Sequence, residues 1–406
     1  MKKVVLISSG QPSVNPRLVK EANVLVSAGY DVAVIYSFWT NWAWETDQQL
    51  FSTVAWKPIL AGGSPFRGNV VYTFSRLRFK LASLIANKLT LKFGVAELAK
   101  GRASVELFRK AKSIKANFYI AHNLAALPVA AKAAKYHQAI CGFDAEDFHR
   151  QEVSDSSVDF NYRISKFLED KYLSRCAYIT AASPLIANAY KQLYPQINPL
   201  VINNVFEVNH VQKISDRSDN KLKLLWFSQT IGKNRGLEDV IGALNILANE
   251  AIELHLLGSF NQESENYFSG LFTHNKTNLV FHKPILSQEI FSFSAQFDIG
   301  LALESNTPLN RDICLTNKIF SYLTAGLAII ASNTAAQKAF IESNEGTGFV
   351  YQMGNAAELA DKIDYLFQNR NALRDCKIKA IQLATDKYNW ELESAKFLTI
   401  ISNNLA

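Results

Sequence analysis

Short apolar runs alternate with amphipathic stretches along the whole 406-residue chain. Val4-Val5-Leu6-Ile7 has the continuous apolar character of a strand buried on both faces. A polar turn follows, and Asn15-Pro16 supplies an N-cap and first-turn pair for a helix. Leu18, Val19, Ala22, Leu25 and Val26 recur at helical spacing, Gly29 stops the helix, and Val32 to Ile35 forms a second strand. The result is a β-α-β unit with a right-handed crossover. Further strands are predicted at 118–121, 139–143 and 177–181, separated by helical segments such as 124–135.

The pattern restarts after a polar stretch, Val211 to Lys221. Strands are predicted at 222–227, 253–257, 279–282 and 298–303, with a helix at 237–247. A second helix, Asn317 to Thr324, ends at Gly326 and leads into a strand at 327–331. Each half therefore predicts an α/β fold built on an open, doubly wound, Rossmann-like parallel sheet. The expected domains are 1–205 and 206–385, followed by a closing helix, 386–406. Trp390, Phe397 and Ile401 share one face of that last helix, with Leu398 at its edge. It crosses back to the first domain, or it docks on its own.

Composition narrows the class. The chain is 48% hydrophobic and 19% charged, which excludes a disordered or coiled-coil protein. No apolar stretch approaches the roughly 20 residues of a membrane-spanning helix, and the run after Met1-Lys2-Lys3 is too short for a signal peptide. The four cysteines are scattered without metal-ligand spacing, so no metal is expected and a cytoplasmic setting is. The net charge of +7 is uneven: residues 1–205 carry 25 Lys and Arg against 14 Asp and Glu. Residues 73–115 alone hold 11 basic residues against Glu97 and Glu106. Such a field attracts polyanions or an anionic membrane surface.

Ligands of open α/β sheets bind beyond the carboxyl ends of the strands, which selects a few loops. Ser8 to Asn15 lacks GxGxxG, arguing against a dinucleotide enzyme. Ser228 to Gly236 contains Gln229, Lys233 and Arg235 and opens a helix. Its cations suit a diphosphate, or the loop is a solvated turn. Glu304 to Gly326 is more specific. Thr316 is a candidate N-cap, the first-turn N–H groups and Lys318 would face an anion, and Glu304 or Asp312 would accept from sugar hydroxyls. That mixture suits a sugar nucleotide. His122 and the acidic run Asp144-Ala145-Glu146-Asp147 are cleft residues or a satisfied strand end and a cap. His137, His210, His255, His274 and His282 have no evident partners and are expected to be structural or exposed.

Taken in order, Gly10 to Arg17, Asp144 to Asp147, Asn203-Asn204-Val205, Arg235-Gly236, Asn317 to Ser332 and Trp390 resemble a retaining glycosyltransferase of GT-B fold, in the glycogen-synthase-like family four. The resemblance spans nearly the whole chain. It implies two facing Rossmann-like domains, donor binding in the second, acceptor binding in the first, and no metal or cofactor beyond the nucleotide-diphosphate sugar itself. Gly10, Gln229, Lys233, Arg235, Glu304, Asp312, Asn317, Lys318 and Ser321 are the implied donor contacts. Two departures stand out. Ser321 occupies the place of a family Glu used on the ribose, and strict spacing puts the first acidic position at Ile313, beside Asp312. In the Asp-x-His-Glu segment, Glu146 stands where the family has His, and His149 follows three residues later. Glu146 is then the favoured stabiliser of a cationic sugar, with Asp144 second, while Lys233, Arg235 and Lys318 meet the leaving diphosphate.

On the acceptor side, residues 66–115 interleave aromatic, leucine and basic positions and predict an amphipathic helix pair beside an anionic membrane, or an ordinary basic face. No nucleic-acid module is present. Trp39, Trp42, Trp44 and Trp56 form an acceptor wall or local packing. The expected function is sugar transfer to a glycan or polyprenyl-linked acceptor in surface polysaccharide synthesis, by a cytoplasmic enzyme peripheral to the inner face of the plasma membrane. The alternatives are a nucleotide-sugar epimerase of the same fold and a non-catalytic sugar-nucleotide-binding subunit.

Overall fold

The run Val4–Ile7 lies at the centre of β1 (Lys3–Ser8), fully buried as its continuous apolar character predicts. The computed structural model describes residues 1–214, 220–273 and 278–405. Part of the polar stretch 211–221, and His274, lie outside the described residues. Strands β2 (Asp31–Ser37), β3 (Lys57–Ala61), β4 (Phe118–His122), β5 (Ile140–Ala145), β6 (Tyr178–Ala181) and β7 (Leu200–Val201) complete a seven-stranded sheet. Its order is β3-β2-β1-β4-β5-β6-β7, parallel throughout. A six-stranded parallel sheet follows, from β8 (Leu222–Thr230), β9 (Ile252–Ser259), β10 (Leu279–His282), β11 (Ile299–Ala302), β12 (Ala328–Ser332) and β13 (Gly348–Tyr351), ordered β10-β9-β8-β11-β12-β13.

Both sheets are doubly wound, and in each the strand order reverses once, between β1 and β4 and between β8 and β11. The crevices beyond the carboxyl ends of those strand pairs are where such sheets bind ligands. The chain forms two compact units: residues 1–202, 308–310 and 394 onward in one, 203–307 and 311–393 in the other. The last helix, Trp390–Asn403, therefore contributes its buried Phe397, Ile400 and Ile401 to the first unit.

Several elements differ from the sequence expectation. β3 and β13 are unforeseen: Lys57-Pro58 opens the first with a charge and a proline, and Gly348 opens the second. β7 has only two residues. The expected helix pair is three helices, Asn69–Lys88, Val95–Lys100 and Ser104–Lys112. Gly94, at φ +86°, and Gly101 separate them. On the first crossover helix, Pro16–Ser27, Val19 and Val26 are only half-buried. Arg17 and Glu21 take inward places beside Leu18, Ala22 and Leu25.

Candidate functional sites on the two units

In the first unit, a buried charge cluster forms beneath the β1–β4 switch point. Asn15 accepts from the Leu18 N–H at 3.0 Å, capping the helix Pro16–Ser27, and that start directs Arg17 and Glu21 inward. Arg17 donates to both Asp144 oxygens, from Nε at 2.5 Å and Nη2 at 2.7 Å, and also bonds the Ile202 carbonyl. Thr180 donates to Asp144 Oδ1 at 2.6 Å. His122, at the end of β4, has Nε2 3.2 Å from Glu21 and Nδ1 3.3 Å from Glu146. Asp144, Arg17, Glu21 and His122 are all buried, whereas the Glu146 side chain is 26% exposed. Asn15 Nδ2 donates to Glu146 at 2.6 Å, so one asparagine both caps the helix and orients the exposed carboxylate.

The charges set one another's protonation. Burial disfavours the imidazolium, but Glu21, Glu146 and Asp144 outweigh it and raise the His122 pKa to about 10. Burial also pushes Glu21 upward, with Asp144 adding to it. For Asp144 burial is overcome by Arg17 and His122, which hold the carboxyl below its ordinary range. The structure thus brings together all three residues expected to be catalytic, and divides them: Glu146 faces outward, while Asp144 and His122 lie behind it. Arg17 and Glu21 are the members sequence reasoning missed. Their signal was two opposite charges four residues apart within an apolar helical stripe.

Potential metal-ligand atoms of Glu21, His122 and Asp144 lie within 4.8 Å of one another. With Arg17 bidentate on Asp144, they are arranged as ion pairs rather than as an open ligand set. Asp147, His149 and Glu152 form a similar group, in which His149 Nδ1 is 2.9 Å from Glu152. Gly10 sits half-buried on the loop after β1, its N–H donating to Ser8 Oγ at 3.1 Å. Of the tryptophans, Trp56 is core and donates to Asn23 at 2.8 Å, and Trp44 packs on Phe38 and Phe66. Trp39, exposed, carries the Arg102 guanidinium 3.6 Å above its ring, and Trp42 is exposed as well.

In the second unit, the helix Asn317–Ala325 abuts the sheet because Gly300 of β11 leaves room for the Tyr322 ring; a Cβ there would meet it at 2.2 Å. Tyr322 Oη donates to the Leu301 carbonyl at 3.1 Å. At the start of this helix Asn317 is exposed, and Lys318 Nζ bonds Glu304, two residues beyond the end of β11. Ser332 fixes Glu304 in place, accepting from its N–H at 2.9 Å and donating to its carbonyl at 2.8 Å. Thr316 occupies the N-cap position without a side-chain cap bond, and its buried hydroxyl has no partner among the described residues.

The loop after β8 lies at the same switch point. Gln229 is exposed at the strand end, Arg235 donates to Ser228 Oγ at 2.6 Å, and Lys233 lies over the Tyr267 ring and 3.9 Å from the exposed Glu263. Two of the expected donor contacts are engaged or buried within the unit. Asp312 accepts from the Ala335 N–H at 2.8 Å and so serves the start of the helix Ala335–Ser343, and Ser321 is buried one turn below Lys318. Among the other histidines, His255 and His282 pair at 2.9 Å, and burial lowers both, His255 to about 4. His137 stacks on Tyr119 and His210 on Phe291.

Residues 221–369 match the sequence model of the family described as "Glycosyl transferases group 1". No curated protein matches the chain. Among solved structures, Anabaena HepE in complex with UDP and glucose superposes with a TM-score of 0.70 at 14% identity, covering 99% of this chain and 100% of HepE. Sucrose-phosphate synthase from Thermosynechococcus elongatus gives 0.73 at 12% identity, covering 99% of each chain. A putative UDP-N-acetylglucosamine 2-epimerase from Listeria monocytogenes gives 0.60 at 11%, covering 100% and 97%. The architecture is the GT-B fold, and its second sheet carries the group 1 glycosyl transferase match.

Proposed function

We propose that the protein transfers a sugar from a nucleotide-diphosphate donor to a glycan or polyprenyl-linked acceptor of a surface polysaccharide, at the inner face of the plasma membrane. The observation that carries this reading is the Glu304–Lys318 pair at the start of the helix Asn317–Ala325, inside the matched segment. Lys318 and the first-turn N–H groups meet the charge that develops on the leaving diphosphate, and Glu304, once released, accepts from sugar hydroxyls. Lys233 and Arg235 add positive charge from the loop after β8, so the diphosphate is met without a metal.

On the first unit, Glu146 is the outward carboxylate available to a cationic sugar ring, held by Asn15 and His122. Asp144 acts through Arg17 and His122 as a positioning residue. Retention of configuration follows the resemblance to family four. UDP and UDP-glucose in the HepE structures make uridine nucleotides the first donors to try.

The test is thermal stabilisation by UDP, GDP and dTDP and their sugars, with and without EDTA, because a ligand that binds only the folded state stabilises it more the tighter it binds. One nucleotide diphosphate is expected to raise Tm equally in both conditions. Lys318→Ala should weaken it about tenfold or more, as loss of a charge-assisted hydrogen bond does, while leaving the nucleoside alone unaffected. Absence of stabilisation by every nucleotide would exclude the donor site. Donor interconversion without acceptor would instead identify an epimerase, and binding with no turnover a non-catalytic subunit.

A further inference from the structure

The helix Asn69–Lys88 is inverted relative to a surface helix of a soluble domain. Its buried side is small, Ser75, Ala82 and Ala86. Its solvent side is large and apolar: Val70, Phe74, Leu77, Leu81 and Leu84 are each 53–65% exposed and fall within one stripe at helical spacing. Just beyond the helix, Phe93 is 94% exposed with its backbone held at φ +57°, a conformation that Phe rarely adopts. Contiguous exposed apolar area of this kind marks an interaction site.

Beside the stripe lies a cavity of about 530 Å³, along the edge strand β3. Val71 lines it and is itself exposed, so the cavity wall runs into the stripe. Lys57, Arg67, Arg109 and Lys110 also line it, and none of the four has an acidic partner among the described residues. The one acid in the wall, Glu106, is already bonded to Arg78 at 2.5 Å. The loop that presents Arg67 is built rather than loose. The buried Ser64 Oγ accepts from the Arg67 N–H at 2.9 Å, and Gly63, at φ +65°, packs so closely on the Gly68 carbonyl that a Cβ would meet it at 2.2 Å.

We infer that this face binds an anionic phospholipid bilayer, with the stripe and Phe93 in the acyl region and one lipid phosphate in the cavity. The charges select this occupant. Self-association through the face would bring the same unpaired cations together. A peptide strand added to the edge would meet Pro58, which cannot donate to a ladder. A lipid surface answers both halves at once, the apolar stripe and the adjoining cations. The inference rests on the membrane location given in the proposed function but not on its chemistry, since lipid binding is read without donor or acceptor and its failure would leave sugar transfer standing.

Flotation of the full chain with phosphatidylcholine vesicles, and with vesicles of about one-third phosphatidylglycerol, tests it. The wild type should float only with the anionic vesicles. L77E/L81E, both on exposed positions, should abolish flotation with an unchanged melting temperature. K57A/R109A/K110A should weaken it about a hundredfold, at the per-charge effect typical of membrane surfaces, and K132A/K135A/K191A, removing three cations elsewhere on the unit, should leave it nearly intact. Failure of the wild type to bind anionic vesicles overturns the proposal, as does equal loss in the two triple variants, which would reduce the cavity to diffuse charge. A wild-type dimer that L77E/L81E converts to monomer, without vesicle binding, would assign the face to self-association.

Discussion

At the scale of single residues, the chain's chemistry is concentrated in positions where burial and charge conflict. His122 is the clearest. Two carboxylates flank its ring nitrogens and a third lies within 3.5 Å, and together they raise its pKa from 6.5 to about 10 although burial opposes the charge. Because the folded value lies above the unfolded one, the stability His122 contributes is complete below about pH 6.5 and disappears as pH rises through about 10. The melting temperature should therefore decline across that window, and His122→Gln should flatten the part of the decline that exceeds ordinary surface titration. A wild-type profile level from pH 6.5 to 10 would contradict a charged imidazole at this position.

At the scale of elements, one helix start couples fold to site. Asn15 caps Pro16–Ser27 through its Oδ1 and holds Glu146 through its Nδ2, so two substitutions separate the roles. Asn15→Ala should cost about 1 kcal/mol as a lost cap. Asn15→Ser keeps a capping oxygen but is too short to reach Glu146. Denaturant titration should find it near wild type in stability, while sugar transfer falls with the unanchored carboxylate. The sequence made this helix legible through Asn15-Pro16 and the spacing of Leu18, Ala22 and Leu25. It could not reveal that Arg17 and Glu21 share the buried face, since a charge in an apolar stripe reads as solvated until its partners, 100 to 130 residues away, are known. The same limit hid β3, whose Lys57-Pro58 opening belongs to an edge strand, and the bond by which Asp312 accepts from the Ala335 N–H at the start of a neighbouring helix. By contrast ten of the parallel strands, β1, β2, β4–β6 and β8–β12, carry enough apolar residues to be legible to within three residues at each end.

At the scale of the molecule, order along the chain and membership of a compact unit part company at residue 394. The sequence pattern alone left the last helix with two places to dock, because an apolar face at 390, 397 and 401 needs a partner without naming it. The helix begins in the second unit and ends in the first, where Phe397 and Ile401 are fully buried. Phe397→Ala should cost about 3–5 kcal/mol, the range for emptying a buried aromatic site. Where that loss appears is the informative part. If the packing of 394 onward belongs to the first unit, hydrogen exchange should accelerate in β1, β4 and β5 and remain near wild type in β8, β11 and β12, although Phe397 follows the second unit directly in sequence. Exchange that instead accelerates first in the second sheet would assign the whole helix to the unit it begins in, and the division of the chain at residue 394 would have to be redrawn.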